Sequence, residues 1–208
     1  MKSLLSEYYK KFHMERRKSG TIICPERISF VVEKVGKGNK VLDMGCRYGN
    51  LTAYYAKDNE VIGVDIDEKA LKVCSKKLGI KTNIQNLNER LQFADNAFDV
   101  VVLTEVLEHL PYPDITLGEI KRVLRRRGIL VGSVPNGTRV KNRLRFLFKG
   151  IIELDRTHLQ YFSQKSLKKL LEIYFNSVET KLVLGRFISF SAPKFANYIL
   201  FSAKKCQL

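Results

Sequence analysis

Apolar and polar positions follow two different periods along this chain of 208 residues, and their order predicts an open α/β sheet. The predicted strands are residues 40–44, 60–64, 81–85, 98–103, 128–134, 177–184 and 197–204. The predicted helices are residues 3–18, 25–36, 50–57, 68–78, 114–126 and 163–174. This succession indicates a doubly wound, seven-stranded, mostly parallel sheet with an antiparallel last strand and helices on both faces.

The first two predicted strands are followed by residues suited to a ligand. Residues 41–52 combine a strand, a glycine turn at Gly45 and Gly49, and a helix start, and the second strand ends in Asp65. In a parallel sheet, a nucleotide-like ligand lies beyond the carboxyl ends of the strands, where Asp65 can accept hydrogen bonds from ribose hydroxyls.

The glycine turn argues against a dinucleotide. Counted from Gly45, the pyrophosphate-binding pattern requires glycine at positions 47 and 50, where this chain has Arg47 and Asn50. Asp43 precedes the turn, and a carboxylate there suits a positively charged group such as an amine or a sulfonium. A hydride-transferring enzyme that uses a nicotinamide cofactor is therefore disfavoured.

These residues resemble the first motif of the class I S-adenosylmethionine-dependent methyltransferases. Further matching segments are residues 84–87, 98–102, 105–110, 122–124, 128–136 and 155–163. The resemblance covers about residues 25–208, and it implies an enzyme (EC 2.1.1.-) that uses S-adenosylmethionine. The implied cofactor-binding residues are Asp43, Gly45, Arg47, Gly49, Asp65, Ile66, Asn86, Leu87 and Thr104.

The resemblance also implies which part of the cofactor each of these residues contacts. Asp43 and Gly45 would hold its amino-acid end, Asp65 its ribose, and Asn86 and Leu87 would flank adenine. Thr104 would begin the loop under the methyl group.

Two positions depart from the family pattern. Arg47 replaces a glycine, so its side chain either lies beside the cofactor carboxylate or points away. Asn86 replaces an acid, and its amide oxygen can still accept a hydrogen bond from the adenine amino group.

Glu105, Glu108 and His109 have the spacing i, i+3 and i+4, which places all three on one face if the segment is helical. The same set with a later histidine, here His158, resembles quinone-pathway O-methyltransferases and small-RNA 2′-O-methyltransferases. That resemblance implies a divalent metal, Mg²⁺ or Mn²⁺, held by Glu105, Glu108, His109 and His158. Alternatively, His109 bonds to the backbone and His158 pairs with Asp155. Without a metal, His158 or His109 is the candidate general base, with Glu108 beside them.

The net charge of +16 raises the question of an anionic partner. Residues 139–149 predict a basic amphipathic helix, which could lie on an anionic membrane, bind an RNA backbone or pack on the domain as a lid; the lid is favoured. The motifs favour a hydroxyl of a small molecule as methyl acceptor, with RNA as the alternative. A non-catalytic module that binds the cofactor is a third interpretation.

Domain organisation and compartment follow from the same features. We expect one methyltransferase domain over residues 1–208, in which residues 1–36 form a helical cap and residues 37–135 bind the cofactor. Residues 136–162 form a basic lid insertion, and residues 163–208 contribute a helix and edge strands. The four scattered cysteines and the lack of a long apolar run predict a cytoplasmic protein without disulfides, structural zinc or a transmembrane segment.

Overall fold

One seven-stranded sheet organises the computed structural model, which describes residues 24–150, 155, 157–184 and 195–206. The strands are β1 (Lys40–Met44), β2 (Glu60–Asp65), β3 (Lys81–Ile84), β4 (Phe98–Thr104), β5 (Leu124–Pro135), β6 (Asn176–Val183) and β7 (Tyr198–Lys204). The α-helices are α1 (Pro25–Val35), α2 (Glu68–Leu78), α3 (Pro113–Val123), α4 (Val140–Lys149) and α5 (Gln164–Tyr174). Short 3₁₀ turns span Thr52–Tyr54, Ala56–Asp58 and Leu107–His109.

The strand order is β3-β2-β1-β4-β5-β7-β6. Strands β3, β2, β1, β4 and β5 are parallel, whereas β7 runs antiparallel to both of its neighbours. The predicted mostly parallel sheet with an antiparallel last strand is therefore confirmed. The chain order reverses between β1 and β4, so the crevice expected for a ligand lies beyond their carboxyl ends.

Local signals in the sequence define several helix ends. The Asp67 carboxylate accepts hydrogen bonds from the backbone of Lys69 and Ala70, which caps the start of α2. Gly79 ends the same helix with φ +68°. Ser163 caps α5 through a reciprocal capping box with Ser166.

Successive side chains of β1 pack into two different apolar clusters, one on each face of the sheet. Leu42 of β1 packs in a cluster with Leu117 of α3 and Leu167 of α5. Its neighbour Val41 packs in another cluster with Val31 of α1. Because successive side chains of a strand point to opposite faces, helices cover both faces of the sheet, as predicted.

Two predicted helices differ from the structure. In place of the α-helix predicted for residues 50–57, the structure has 3₁₀ turns at Thr52–Tyr54 and Ala56–Asp58, and Thr52 and Tyr55 both donate to Asp43. The helix predicted to reach residue 126 ends at Val123, because Leu124 pairs with Phe98 and begins β5.

The basic segment is helical, as α4, but its predicted packing is wrong. The favoured interpretation was a lid that buries its apolar face, yet Leu147 is 74% exposed and Phe148 is 78% exposed. The face that α4 turns to the domain carries the buried amide of Asn142 instead. The helix predicted for residues 3–18 lies outside the described residues. Across the described residues, none of the helices has the length and apolar character needed to cross a bilayer.

Candidate active site

The turn after β1 is held in a conformation that favours glycine. Gly45 has φ +81° and Gly49 has φ +69°, and Arg47 between them also has a positive φ of 47°. The backbone N–H of Gly45 donates a 2.8 Å hydrogen bond to the carbonyl of Val64 in β2. A Cβ on Gly45 would stand 2.3 Å from Cγ2 of Val106, so the turn also has no space for a side chain.

Asp43 is a buried carboxylate directly before this turn. Its Oδ2 accepts hydrogen bonds of 2.6 Å from the hydroxyls of Thr52 and Tyr55. Burial raises the pKa of Asp43 to about 6, although these two hydrogen bonds oppose the increase. The residue is therefore mostly ionised at neutral pH and can attract a cationic group.

Asp65 ends the neighbouring strand and is also buried. Its two oxygens accept hydrogen bonds of 3.0 Å from the backbone N–H of Arg47 and 2.9 Å from that of Asp67. Burial raises the pKa of Asp65, and the two backbone donors lower it in part. An ionised carboxylate has about four acceptor positions, so these bonds leave acceptor capacity for ribose hydroxyls.

The Arg47 side chain lies over an aromatic ring. Its guanidinium carbon is 5.5 Å from the ring centroid of Tyr48, and its buried Nε has no hydrogen-bond partner among the described residues. The backbone of Arg47, rather than its side chain, contacts Asp65.

The predicted adenine segment follows β3. Oδ1 of Asn86 accepts 3.1 Å hydrogen bonds from the backbone and side chain of Asn88, so the amide oxygen proposed for adenine already has local donors. Leu87 is buried, and its carbonyl accepts a hydrogen bond from Thr116. Thr104 ends β4, and Ile66 directly follows β2, so both lie at the same carboxyl edge.

Glu108, His109 and His158 come together at this edge. One potential ligand atom from each lies within 4.8 Å of the others. His109 Nδ1 donates a 3.0 Å hydrogen bond to the carbonyl of Thr157. Because Thr157 directly precedes His158, this bond holds the loop that carries His158 against the segment that carries His109. His158 Nε2 is 3.9 Å from Oε1 of Glu108 and 3.6 Å from Oδ2 of Asp155.

The Glu108 carboxyl is the most deeply buried member of this cluster. Its Oε2 accepts no hydrogen bond from the described residues. Burial, and then the negative charge of Glu105, raise the pKa of Glu108 well above its usual range. The other oxygen, Oε1, lies 3.8 Å from Nε2 of His109 and 3.9 Å from Nε2 of His158, so this carboxyl is suited to hold a proton or a cation.

Glu105 does not share a helical face with Glu108 and His109, so that expectation is wrong. Its φ is +53°, and its backbone N–H, directly after β4, donates to the carbonyl of Ser133 in β5. The Ser133 hydroxyl donates to Oε1 of Glu105 at 2.7 Å, and Arg27 lies 3.4 Å from the same oxygen. The carboxylate is therefore directed toward β5 and α1.

Sequence reasoning missed four residues that shape the site. Thr52 and Tyr55 bond Asp43, and Ser133 and Arg27 hold Glu105. The i, i+3 spacing of Thr52 and Tyr55 after the turn was the available signal for the first pair. No comparable pattern marks the second pair, because its members come from separate elements.

Comparisons with known proteins identify relatives of this chain. A family model described as a methyltransferase domain matches residues 42–132. The chain is 31% identical over 185 residues to a demethylmenaquinone methyltransferase of Lactobacillus johnsonii, and the match covers 73% of this chain and 74% of that protein. It is 30% identical over 131 residues to a ubiquinone biosynthesis O-methyltransferase of Pasteurella multocida, covering 55% of this chain and 54% of that protein. The chain thus spans about half the length of the Pasteurella relative.

A solved structure supports the fold. A methyltransferase from Archaeoglobus fulgidus, described as dependent on S-adenosylmethionine, superposes with a TM-score of 0.73. The identity is 22%, and the superposition covers 94% of this chain and 99% of that one. At this identity the likeness establishes the architecture alone.

Proposed function

The chain belongs to the S-adenosylmethionine-dependent methyltransferases, and from that premise we propose that it methylates a hydroxyl oxygen of a small molecule. The observation that supports this proposal is the cluster of Glu108, His109 and His158, in which Glu108 and His109 closely follow the carboxyl end of β4. Imidazoles beside a buried carboxylate are suited to take a proton from a hydroxyl. The relative named a ubiquinone biosynthesis O-methyltransferase favours oxygen as the acceptor atom.

The cofactor-binding residues fit an adenosyl sulfonium better than a pyrophosphate. When bound, S-adenosylmethionine supplies an activated methyl group on a positively charged sulfur. Asp43 and Gly45 would hold the amino-acid end, and Asp65 would accept from the ribose hydroxyls through its remaining lone pairs. Support comes from the burial of both carboxylates at adjacent strand ends and from the turn, which offers no glycine at Arg47 for a phosphate.

His158 is the proposed general base. Its imidazole would accept the proton of the acceptor hydroxyl as the oxygen bonds to the methyl carbon, and the carbon–sulfur bond of the sulfonium would break to leave a neutral thioether. The carboxylate of Asp155, 3.6 Å from Nε2, stabilises the imidazolium that forms, and the Glu108 carboxyl lies 3.9 Å from the same nitrogen. His109 acts as a positioning residue, because its bond to the Thr157 carbonyl holds the His158 loop in place. Such acid–base catalysis contributes roughly 10²–10⁴-fold to rate.

The same cluster also fits a divalent ion, and this is the second proposal for it. The Oε2 atom of Glu108, which has no hydrogen-bond partner among the described residues, is a hard oxygen ligand. Nδ1–H of His109 donates to the Thr157 carbonyl, so the lone pair available to a metal is on Nε2. Glu108, His109 and His158 would hold Mg²⁺ or Mn²⁺. A bound ion would lower the pKa of an acceptor hydroxyl.

The test is a methyl-transfer assay against phenols and other small hydroxyl compounds, with product analysis that separates O-methyl from C-methyl. We expect O-methyl product. His158→Gln should lower kcat by roughly 10²-fold or more while leaving the Kd of the cofactor unchanged. Leu159→Ala, at the exposed neighbour, is the control for disturbance of the loop. Methylation at carbon only, or an unchanged kcat in His158→Gln, would contradict the proposal.

A further inference from the structure

Helix α4 turns a stripe of apolar side chains away from the domain. With 3.6 residues per turn, Val140, Leu144, Leu147 and Phe148 lie within one angular sector. Leu144 is 49% exposed, Leu147 is 74% exposed and Phe148 is 78% exposed. Asn142 projects from the opposite side and is fully buried. The stripe is therefore an exposed face of the helix, and Phe146, which lies nearer the side of Asn142, is also 58% exposed.

Hydrogen bonds at the first turn hold α4 in this orientation. The Asn142 amide donates to the carbonyl of Gly137 at 3.2 Å. Arg139 donates from Nε to Oδ1 of Asn142 at 3.1 Å and from Nη1 to Oδ1 of Asn197 at 2.9 Å. Because the anchored side is polar and buried, the helix cannot turn its apolar side inward without leaving these groups unsatisfied.

Positive charge flanks the stripe. Residues 139–149 contain five basic and no acidic side chains. Lys141 and Arg145 lie on one side of the stripe and Arg143 on the other, by the same helical geometry. Among the described residues, no acidic group forms an ion pair with Lys141, Arg143 or Arg145.

This helix lies beside the proposed active site. It begins shortly after the carboxyl end of β5, the strand whose Ser133 bonds Glu105. The backbone N–H of Gly137 donates to the carbonyl of Phe162, which ties the start of the segment to the chain that follows His158. The start of α4 is therefore tied to the same edge of the sheet as the proposed active site.

We propose that α4 docks this protein on an anionic lipid bilayer, with the helix lying in the plane of the interface. Ten residues extend about 15 Å, too short to span a bilayer but long enough to bury Leu144, Leu147 and Phe148 at the acyl boundary. The flanking arginines and lysines then reach acidic headgroups. A phosphate backbone would match the charges but would leave the apolar stripe in water, so the bilayer is the better complement.

Docking would place the acceptor entrance at the membrane surface. We infer that the methyl acceptor is an apolar molecule drawn from the lipid phase, a consequence that rests on the proposed function. The docking itself does not depend on methyl transfer, so the two can fail separately.

The experiment is co-sedimentation of the full chain with vesicles of phosphatidylcholine, alone or with about one-third phosphatidylglycerol. We expect binding only to the anionic vesicles. Arg143→Gln/Arg145→Gln should weaken it roughly 30-fold, at about fivefold per charge near the surface. Leu147→Gln/Phe148→Gln should weaken it on the order of tenfold or more. The matched controls on α5 are Lys165→Gln/Lys169→Gln, which remove equal charge, and Ile173→Gln, which alters an apolar side chain that is 69% exposed.

Every outcome of these binding measurements either supports or contradicts docking on the bilayer. Selective loss in the two α4 variants, with both controls binding as the native chain does, supports docking. Equal binding to neutral and anionic vesicles, or equal loss in the controls, overturns it. Binding to single-stranded RNA that needs Arg143 and Arg145 but not Leu147 and Phe148 also overturns it. So does a dimer in light scattering that Leu147→Gln/Phe148→Gln dissociates, because a second copy would then cover the stripe. If the chain methylates water-soluble acceptors but does not bind vesicles, docking is refuted and the proposed function is retained.

Discussion

The phenolic hydroxyl of Tyr55 donates a 2.6 Å hydrogen bond to Oδ2 of Asp43 inside the protein. Both side chains are almost completely buried, with exposures of 1% and 3%. The bond stabilises the ionised carboxylate against a desolvation that raises the pKa of Asp43 to about 6. A residue that need not touch the cofactor thus sets how much negative charge the cofactor meets.

Replacing Tyr55 with Phe should reduce cofactor affinity in a pH-dependent manner. Loss of a donor to a charged group costs about 1.5–3 kcal/mol, so the pKa of Asp43 rises further and the carboxylate is mostly protonated near pH 6.5. We expect affinity for S-adenosylmethionine to fall roughly tenfold at about pH 6.5 and much less at about pH 8.5, measured by calorimetry. Tyr54→Phe, at a neighbouring exposed tyrosine, is the control. An equal loss at both pH values would mean that Tyr55 acts by packing alone.

Asp43 should also make the free energy of unfolding depend on pH. Its pKa in the folded protein is raised from 3.8 to about 6, so between these values the folded state keeps a proton that the unfolded chain has lost. The contribution of Asp43 to stability therefore falls as pH rises from about 4 to about 6, by on the order of 3 kcal/mol, and is constant above that range. Asp43→Asn removes this dependence.

Urea unfolding of the native chain and of Asp43→Asn at several pH values measures the effect. The free energy of unfolding of the native chain, relative to that of the variant, should decrease across this range. An increase would show that the carboxylate is stabilised, not penalised, by its surroundings.

Local signals in the sequence were sufficient for the sheet and for most helix ends. Asp67 and Gly79 delimit α2 by side-chain capping and by a left-handed backbone, both of which depend on residue type alone. Residues 50–57 were mispredicted because their conformation depends on a carboxylate 9 and 12 residues away in the chain. Helical spacing cannot reveal a hydrogen bond of that kind.

The membership and the geometry of the candidate cluster were each predictable only in part, because Glu105 lies outside the group of Glu108, His109 and His158. The family resemblance implies one cluster for His158 and Glu108, and the structure brings them within 3.9 Å of each other. Glu105 was assigned to the same helical face, but its positive φ follows from contacts to Ser133 and Arg27 in other elements. The exposure of Phe148 on α4 was missed because the periodicity identifies an apolar face without saying what covers it.

Gly45→Ala should be more destabilising than the same change at another glycine with positive φ. A Cβ at Gly45 would meet Val106 Cγ2 at 2.3 Å, whereas one at Gly79 would meet nothing within 4 Å. Both substitutions strain the backbone by about 1 kcal/mol, and Gly45→Ala adds about 1–3 kcal/mol of overpacking. Chemical unfolding measures both variants. Val106→Ala in the Gly45→Ala background should recover part of the loss, and failure to do so would assign the whole effect to backbone strain.

The two glutamates of the E-x-x-E-H segment should differ in their effect on a metal ion. Glu108 lies within 4.8 Å of both histidines and keeps one carboxylate oxygen without a protein partner among the described residues, whereas Glu105 is bonded by Ser133 and Arg27. We expect Mn²⁺ bound to the native chain, detected by loss of the free-ion paramagnetic resonance signal, to be weakened at least roughly tenfold by Glu108→Gln. Glu105→Gln should leave the affinity within about twofold, since its carboxylate is engaged elsewhere. Equal losses would place Glu105 among the ligands, and no Mn²⁺ binding by the native chain would leave His158 to act as a base without a metal.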